Sequence, residues 1–242
     1  RTLGGIFMKQ GRILAFILLV ALVVTTGVMA KELSAVKAPK GMRIDGKLTE
    51  WEKAKKYAIK IDSLEYLVAG SASEYEGGKD IAGTFYVMWD AQYLYIVAEI
   101  TDDKVFVDHT GAYLFQSDGI QVFVSFDGVG YDRTSYGATD FQFGFAPGVK
   151  GGFAESHVWN NNHRFTDLQF ESSTSNDGYI IEVAIPAYEF DIELEKGMLL
   201  GFDLGITDTD YEKTPQQNYF ILSKHGDGWG NVSRFLELLL ID

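Results

Sequence analysis

The chain reads as an all-β protein, one antiparallel β-sandwich with a single short N-terminal helix, and three observations predict it. Apolar and polar residues alternate with period two in stretch after stretch. Gly, Asp, Asn and Pro clusters punctuate those stretches at turn-like intervals. Helix signals are confined to one short segment. With 242 residues, 46% of them hydrophobic, and 26 Gly against 4 Pro, the composition is globular, and a sandwich of this length is an ordinary single domain.

The first thirty residues stand apart from the fold. Met8-Lys9-Gln10-Gly11-Arg12 is a short basic stretch, Ile13 to Val24 an unbroken apolar run, and Val28-Met29-Ala30 a small-residue cleavage signal. With Arg1 to Phe7 as an upstream extension, residues 1–30 read as a secretory signal peptide whose apolar run is short for a membrane span. The expected mature protein is one domain over residues 31–242, secreted or periplasmic, with no membrane attachment after cleavage.

A polar leader covers Lys31 to Lys40. Thr49 is the expected N-cap of the helix, ahead of Glu50-Trp51-Glu52-Lys53-Ala54-Lys55-Lys56, where acids lead and bases trail as the helix dipole prefers. Thr84 to Trp89 sets Phe85, Val87 and Trp89 on one face, and Asp90-Ala91-Gln92 turns the chain into Tyr93 to Ile100, a hairpin. Ile120 to Phe126 aligns Ile120, Val122, Val124 and Phe126 before the Asp127-Gly128 turn. Phe141, Phe143 and Phe145 alternate up to Pro147-Gly148. Tyr179 to Ile185, Leu199 to Ile206, Tyr219 to Ser223 and Phe235 to Ile241 complete the strands. Gly148 to Gly152 and Ser172 to Gly178 are expected exposed loops.

Lys+Arg 21 against Asp+Glu 34 gives a net charge of −13, and loss of residues 1–30 removes three bases and no acid, leaving −16. Such a surface repels phosphate backbones and anionic lipid, so nucleic acid is excluded as a partner. An exported chain without Cys has no disulfides, and calcium bound by hard oxygen ligands is the natural supplement to core burial. No HExxH, CxxC or paired-His spacing marks a zinc site. There is neither a G-x-S-x-G elbow nor a phosphate-cradling loop, and His109, His157, His163 and His225 are dispersed, so the chain reads as no enzyme.

Loop aromatics carry the binding signal. Trp229 lies in the Gly-rich run His225-Gly226-Asp227-Gly228-Trp229-Gly230-Asn231, and Trp159 is followed by Asn160-Asn161-Asn162. Gln121 alternates away from Ile120 and Val122, and Gln142 away from Phe141 and Phe143, so the two amides share a groove if their strands are neighbours. Trp51 and Trp89 read as structural.

Five strings occur together: Ile44-Asp45-Gly46-Lys47-Leu48 leading to Trp51; Trp89-Asp90-Ala91-Gln92-Tyr93-Leu94-Tyr95 running to Thr101-Asp102-Asp103; Asp118-Gly119-Ile120-Gln121-Val122-Phe123; Gly178 to Pro186; and Gly201-Phe202 through Asp208. In this order they resemble the family 9 carbohydrate-binding modules, a branch of the DOMON-like, jelly-roll-type β-sandwiches. The resemblance implies a secreted, non-catalytic protein that holds polysaccharide or oligosaccharide between two aromatic side chains. Phe115, ahead of Asp118, and Trp229 match those two positions. Phe115 stands where such modules usually carry Trp, and Gln121 where they usually carry Glu, so a smaller face and a neutral acceptor imply weaker binding. The expected sugar site comprises Trp229, Phe115, Gln121, Gln142, Trp159 and Asn231.

The same resemblance implies calcium on carboxylates at strand ends, drawn from Asp102, Asp103, Asp118, Asp127, Asp132, Asp140, Asp208 and Asp210, with Asp102, Asp103 and Asp118 as the named ligands. The expected partners are the glycan itself and a separate glycoside hydrolase. Two other readings stay open: a haem-binding DOMON-type electron-transfer domain with Met88 and His163 as axial ligands, and a glycoside hydrolase using two of the many carboxylates.

Overall fold

A computed structural model describes residues 33–129, 132–148, 153–160, 163–211 and 216–242. The leader at residues 1–30 and most of the expected loop at 148–152 lie outside them. The described residues form thirteen strands: β1 (Leu33–Lys37), β2 (Ile59–Ile61), β3 (Leu67–Gly70), β4 (Ile81–Trp89), β5 (Tyr93–Asp102), β6 (Gly119–Ser125), β7 (Asp140–Ala146), β8 (Glu155–Val158), β9 (Gln169–Ser175), β10 (Gly178–Pro186), β11 (Leu199–Asp208), β12 (Asn218–Ile221) and β13 (Leu236–Ile241).

All of them belong to one hydrogen-bonded sheet in the order β8-β7-β6-β11-β13-β1-β4-β5-β10-β9. The sheet forks at β11, whose first residues pair with β13 and whose last pair with β12, which in turn carries β3. Curling brings both halves of the sheet into one core. Phe85 and Val87 of β4, Ile96 of β5 and Ile181 of β10 join Val122 of β6, Phe143 of β7 and Leu204 of β11 in a single buried cluster. These are the inward residues of the alternation, and burying each such side chain is worth roughly 1.5–3 kcal/mol.

Three expectations need correction. The ladder is not wholly antiparallel, because β1 runs parallel to both β13 and β4. The stretch expected as a polar leader forms this strand because Leu33, Ala35 and Val36 are apolar and become buried between those neighbours. The helix is a 3-10 turn at Glu52–Tyr57 whose N-terminal flank is Trp51, not Thr49, with no side-chain cap. Glu52 still leads Lys55 and Lys56, yet a segment this short does not hold an α-helix by itself, and its position follows the burial of Trp51. The loop expected at Ser172 to Gly178 contains the end of β9, a strand with a polar sequence and an exposed pattern, paired only with β10 in the described sheet.

Two further clusters cover the outer faces. On one side, Val36, Trp51, Met88, Tyr95, Val97 and Ala184 pack together over β4, β5 and β10. Glu182, fully buried in β10, accepts hydrogen bonds there from the Asp45 N–H at 2.7 Å, the Gly46 N–H at 2.9 Å and the Trp51 indole N–H at 2.8 Å. Gly46 has φ +72°, and a Cβ on it would lie 3.1 Å from the Ser172 backbone, so glycine is required where the segment crosses β9. On the other side, Phe123, Tyr219, Ile221, Val232 and Phe235 pack over β6, β11 and β12.

Candidate functional site

A hollow of about 510 Å³ opens on that second outer face. Its polar residues come from the β6–β7 pair, where Gln121 faces Gly144 and Phe123 faces Gln142, so the two outward amides are diagonal neighbours. The Gln142 Nε2 donates to Gln121 Oε1 at 2.9 Å, and the Tyr219 hydroxyl approaches the same oxygen at 3.4 Å. Asn160 Nδ2 donates to Gln142 Oε1 at 3.1 Å and to the Trp229 carbonyl at 2.6 Å. The amides therefore form a chain in which each is held by the next, which fixes their directions in advance of any ligand.

The aromatic walls are held with equal care. Trp159 donates its indole N–H to the Ala112 carbonyl at 2.9 Å, and its ring meets Phe115 edge-on at 6.3 Å between centroids. Gly144 makes this possible, since a Cβ there would come within 2.3 Å of the Trp159 ring. Gly205 does the same for Tyr219, whose ring would lie 2.7 Å from an added Cβ. Phe115 sits in the 3-10 turn Gly111–Gln116, and Trp229 in the 3-10 turn Gly228–Gly230, where the Tyr136 hydroxyl donates to the Gly228 carbonyl at 2.9 Å. Trp229 is 62% exposed, in contrast to Trp51 and Trp89, which are buried. Among the described residues that line the hollow, none is charged.

Of the expected sugar-site residues, Trp229, Phe115, Gln121, Gln142 and Trp159 all line this hollow. Asn231 does not. Its side-chain Oδ1 accepts from the Ser233 N–H and hydroxyl, and its Nδ2 donates to Asp227, so it shapes the loop that carries Trp229. Sequence reading missed Tyr219, Asn160 and Gln216 as lining residues. The signal for Tyr219 was its alternation with the inward Phe220; Gln216 gave none.

The carboxylates gather elsewhere. Asp102 at the end of β5, Asp118 just before β6 and Asp208 at the end of β11 bring ligand oxygens within 4.8 Å of one another, and all three are buried. Asp103, expected with Asp102 and Asp118, instead joins Asp80 and Asp210 in a second group. Adjacent residues on a strand point to opposite faces, so Asp102 and Asp103 diverge and Asp208 takes the third place. Asp118 accepts from the Phe106 and Thr209 N–H groups, at 2.5 and 2.6 Å. One oxygen of Asp102 and one of Asp208 are buried without a hydrogen-bond partner. Burial and the neighbouring carboxylates push Asp102 and Asp208 up to about 7 and Asp118 well above the usual range. Asp140 is neutralised by Arg133, which also approaches Asp127.

The residues named for haem are not brought together. Met88 is buried in the cluster around Trp51, whereas His163 packs against Phe141, Phe165 and Phe190 and bonds Glu189 at 2.8 Å.

Residues 44–242 match the family described as carbohydrate family 9 binding domain-like. An exoglucanase XynX of Acetivibrio thermocellus is 32% identical over 167 residues, covering 68% of this chain and 14% of the relative. An endo-1,4-beta-xylanase A of Thermoanaerobacterium saccharolyticum is 30% identical over 164 residues, covering 68% and 13%. The chain thus matches about one seventh of the length of these curated relatives. In fold, it is similar to a family 9 carbohydrate-binding module of Caldicellulosiruptor kristjanssonii in complex with cellotriose, at TM-score 0.66 and 18% identity over 87% of this chain and 93% of the other. The same comparison with the glucose complex gives TM-score 0.63, 18% identity and coverage of 86% and 95%. On the match over residues 44–242, the chain belongs to the family 9 carbohydrate-binding domains.

Proposed function

We propose that the protein is an exported, non-catalytic carbohydrate-binding domain and that the hollow between Phe115, Trp159 and Trp229 takes a neutral oligosaccharide. The observation that carries this reading is the lining itself. Aromatic rings suit the apolar C–H faces of a sugar, hydrogen-bonded amides and a tyrosine hydroxyl suit its hydroxyls, and none of the described lining residues carries a charge that demands a counter-ion. Glucose and cello-oligosaccharides are the ligands to try first, because the similar solved modules hold glucose and cellotriose. Xylo-oligosaccharides come next, since a curated relative is an endoxylanase. A separate glycoside hydrolase is the proposed partner in the same surroundings. The curled sheet is read as the two leaves of a DOMON-like sandwich.

Titration calorimetry with cellotriose tests the site. Trp229→Ala is expected to lower affinity about tenfold to a hundredfold, on the order of 1 to 3 kcal/mol, with an unchanged melting temperature. A destabilised variant that binds as well as wild type would remove Trp229 from the site.

The proposal includes a structural calcium held by Asp102, Asp118 and Asp208. The residues fit: they offer hard oxygen ligands, and two of those oxygens are buried without any donor. A divalent cation there would offset carboxylate repulsion and link the ends of β5 and β11 to the start of β6. Thermal scans are expected to show a higher melting temperature in excess calcium than in EDTA. Overlaid scans would exclude the cation.

A further inference from the structure

Beside the first hollow lies a second, of about 320 Å³, lined by Ser135, Tyr136, Gly137, Asn160, Trp229 and Gly230. Trp229 and Asn160 line both, so the two hollows share a wall. Its described lining residues have the same chemistry as those of the first: an indole, an amide, hydroxyl groups and no charged side chain. Arg133 and Asp140, whose side chains lie beside Gly137, are paired with each other. Its volume falls within the range of about 300–1,000 Å³ usual for small-molecule sites.

Trp229 is 62% exposed, although it lines both hollows. Its loop is nevertheless rigidly built, with Tyr136 bonded to Gly228 and Arg234 bonded to Asp227 at 3.0 Å. A large apolar side chain fixed in this open state has a surface prepared for ligand beyond the first hollow. Asn160 holds the Trp229 carbonyl from below and so ties the shared wall to the chain of amides around Gln142.

We propose that the two hollows are consecutive subsites of one glycan site, the second taking the sugar units that continue past Trp229. This rests on the oligosaccharide reading of the first hollow. The occupant is the same neutral chain, because the wall is continuous and the lining offers hydrogen bonds and a stacking face without charge. The protein then reads chain length, and longer oligosaccharides bind more tightly than those that fill the first hollow alone.

Calorimetry with the cello-oligosaccharide series from glucose to cellohexaose tests this on the wild-type chain and on Gly230→Leu. Gly230 is absent from the lining of the first hollow, its φ is not left-handed, and a Cβ on it meets nothing within 4 Å, so a leucine projects into open space. In the wild type, affinity is expected to keep rising beyond cellobiose, by about threefold to tenfold in total. In Gly230→Leu that rise should vanish while the glucose and cellobiose affinities stay within about twofold of wild type. Ser135→Phe, at an exposed position in the same lining, should give the same pattern if Gly230→Leu misfolds. A wild-type affinity that is flat beyond cellobiose, or a length gain that survives both substitutions, overturns the second subsite and leaves the first intact. Absence of binding at every length overturns both.

Discussion

The outer face over β4, β5 and β10 and the outer face over β6, β7 and β11 are built from the same materials, with a tryptophan above strands whose outward positions carry buried polar groups. On the first, Trp51 is fully buried and gives its N–H to Glu182. On the second, Trp229 stays open above Gln121 and Gln142. The difference lies in the polar group beneath. A buried carboxylate accepts without donating, so it needs donors from elsewhere, and the segment from Asp45 to Trp51 supplies them by closing over the sheet. An amide can both donate and accept, so Gln142 donates to Gln121 and accepts from Asn160, and the second face is served by its own side chains and remains available to ligand.

The largest effect should come from breaking the closed face. Glu182→Ala leaves the Asp45 and Gly46 N–H groups and the Trp51 indole without their acceptor, and is expected to cost about 3 to 5 kcal/mol in denaturant unfolding. Cellotriose affinity of the folded protein should not change. A stability within about 1 kcal/mol of wild type would show that burial of Trp51, and not the carboxylate, closes that face.

The open face has its own buried carboxylate, and pH reports on it. Asp203 in β11 accepts from the Leu204 N–H at 2.9 Å and the Ser223 N–H at 3.1 Å, which anchors the start of the loop carrying Trp229, while its other oxygen has no partner. Burial pushes this carboxyl up to about 7, from 3.8 when unfolded. Between those values the folded state binds the extra proton, so the contribution to stability is full below about pH 4 and is lost as pH rises toward 7. Each pKa unit is worth about 1.4 kcal/mol, which sets the scale at roughly 4 kcal/mol. Urea unfolding from pH 4 to 8 should therefore show a steeper decline in wild type than in Asp203→Asn. Parallel curves would mean that Asp203 ionises without penalty.

The smallest expected effect sharpens the open face. Phe115→Trp enlarges one wall at a position already partly exposed, and should tighten cellotriose binding by about two- to fivefold with an unchanged melting temperature. Weaker binding would mean that the Phe115–Trp159 edge contact, and not the area of the face, sets the fit.

Much of this contrast can be read in the sequence, and what cannot has a physical cause. Strands β4, β5, β6, β7, β10 and β11 are visible because large apolar side chains on alternate residues fill the common core. Strand β9 is not, because an edge strand with Glu171, Ser172, Ser173 and Thr174 buries little. Strand β1 is hidden by its short length and its distant partner, β13. In the hollow, alternation turns Gln121 and Gln142 away from the core, and they converge because β6 and β7 are neighbours. The positions of Trp159 and Tyr219 depend on room above Gly144 and Gly205, which no local pattern reports. The separation of Asp102 from Asp103 was legible in the alternation at the end of β5, whereas the approach of Asp208 depends on the pairing of β11 with β6.

The parallel contact of β1 with β13 also decides how the domain bears load. The chain enters this pair at Leu33, level with Leu238, and leaves it at Ile241, level with Val36. Tension along the polypeptide on the two sides therefore pulls the strands past each other lengthwise. Their hydrogen bonds resist together, in shear, instead of unzipping one after another. Val36 and Lys37 hold β1 to β4 on its other flank, and the Trp89 indole N–H clasps the Ile241 carbonyl at 2.8 Å. β13 begins at Leu236, seven residues past Trp229, so this force-bearing pair is continuous in sequence with the loop that carries the exposed indole, and extension under load is governed by the rate at which the pair yields.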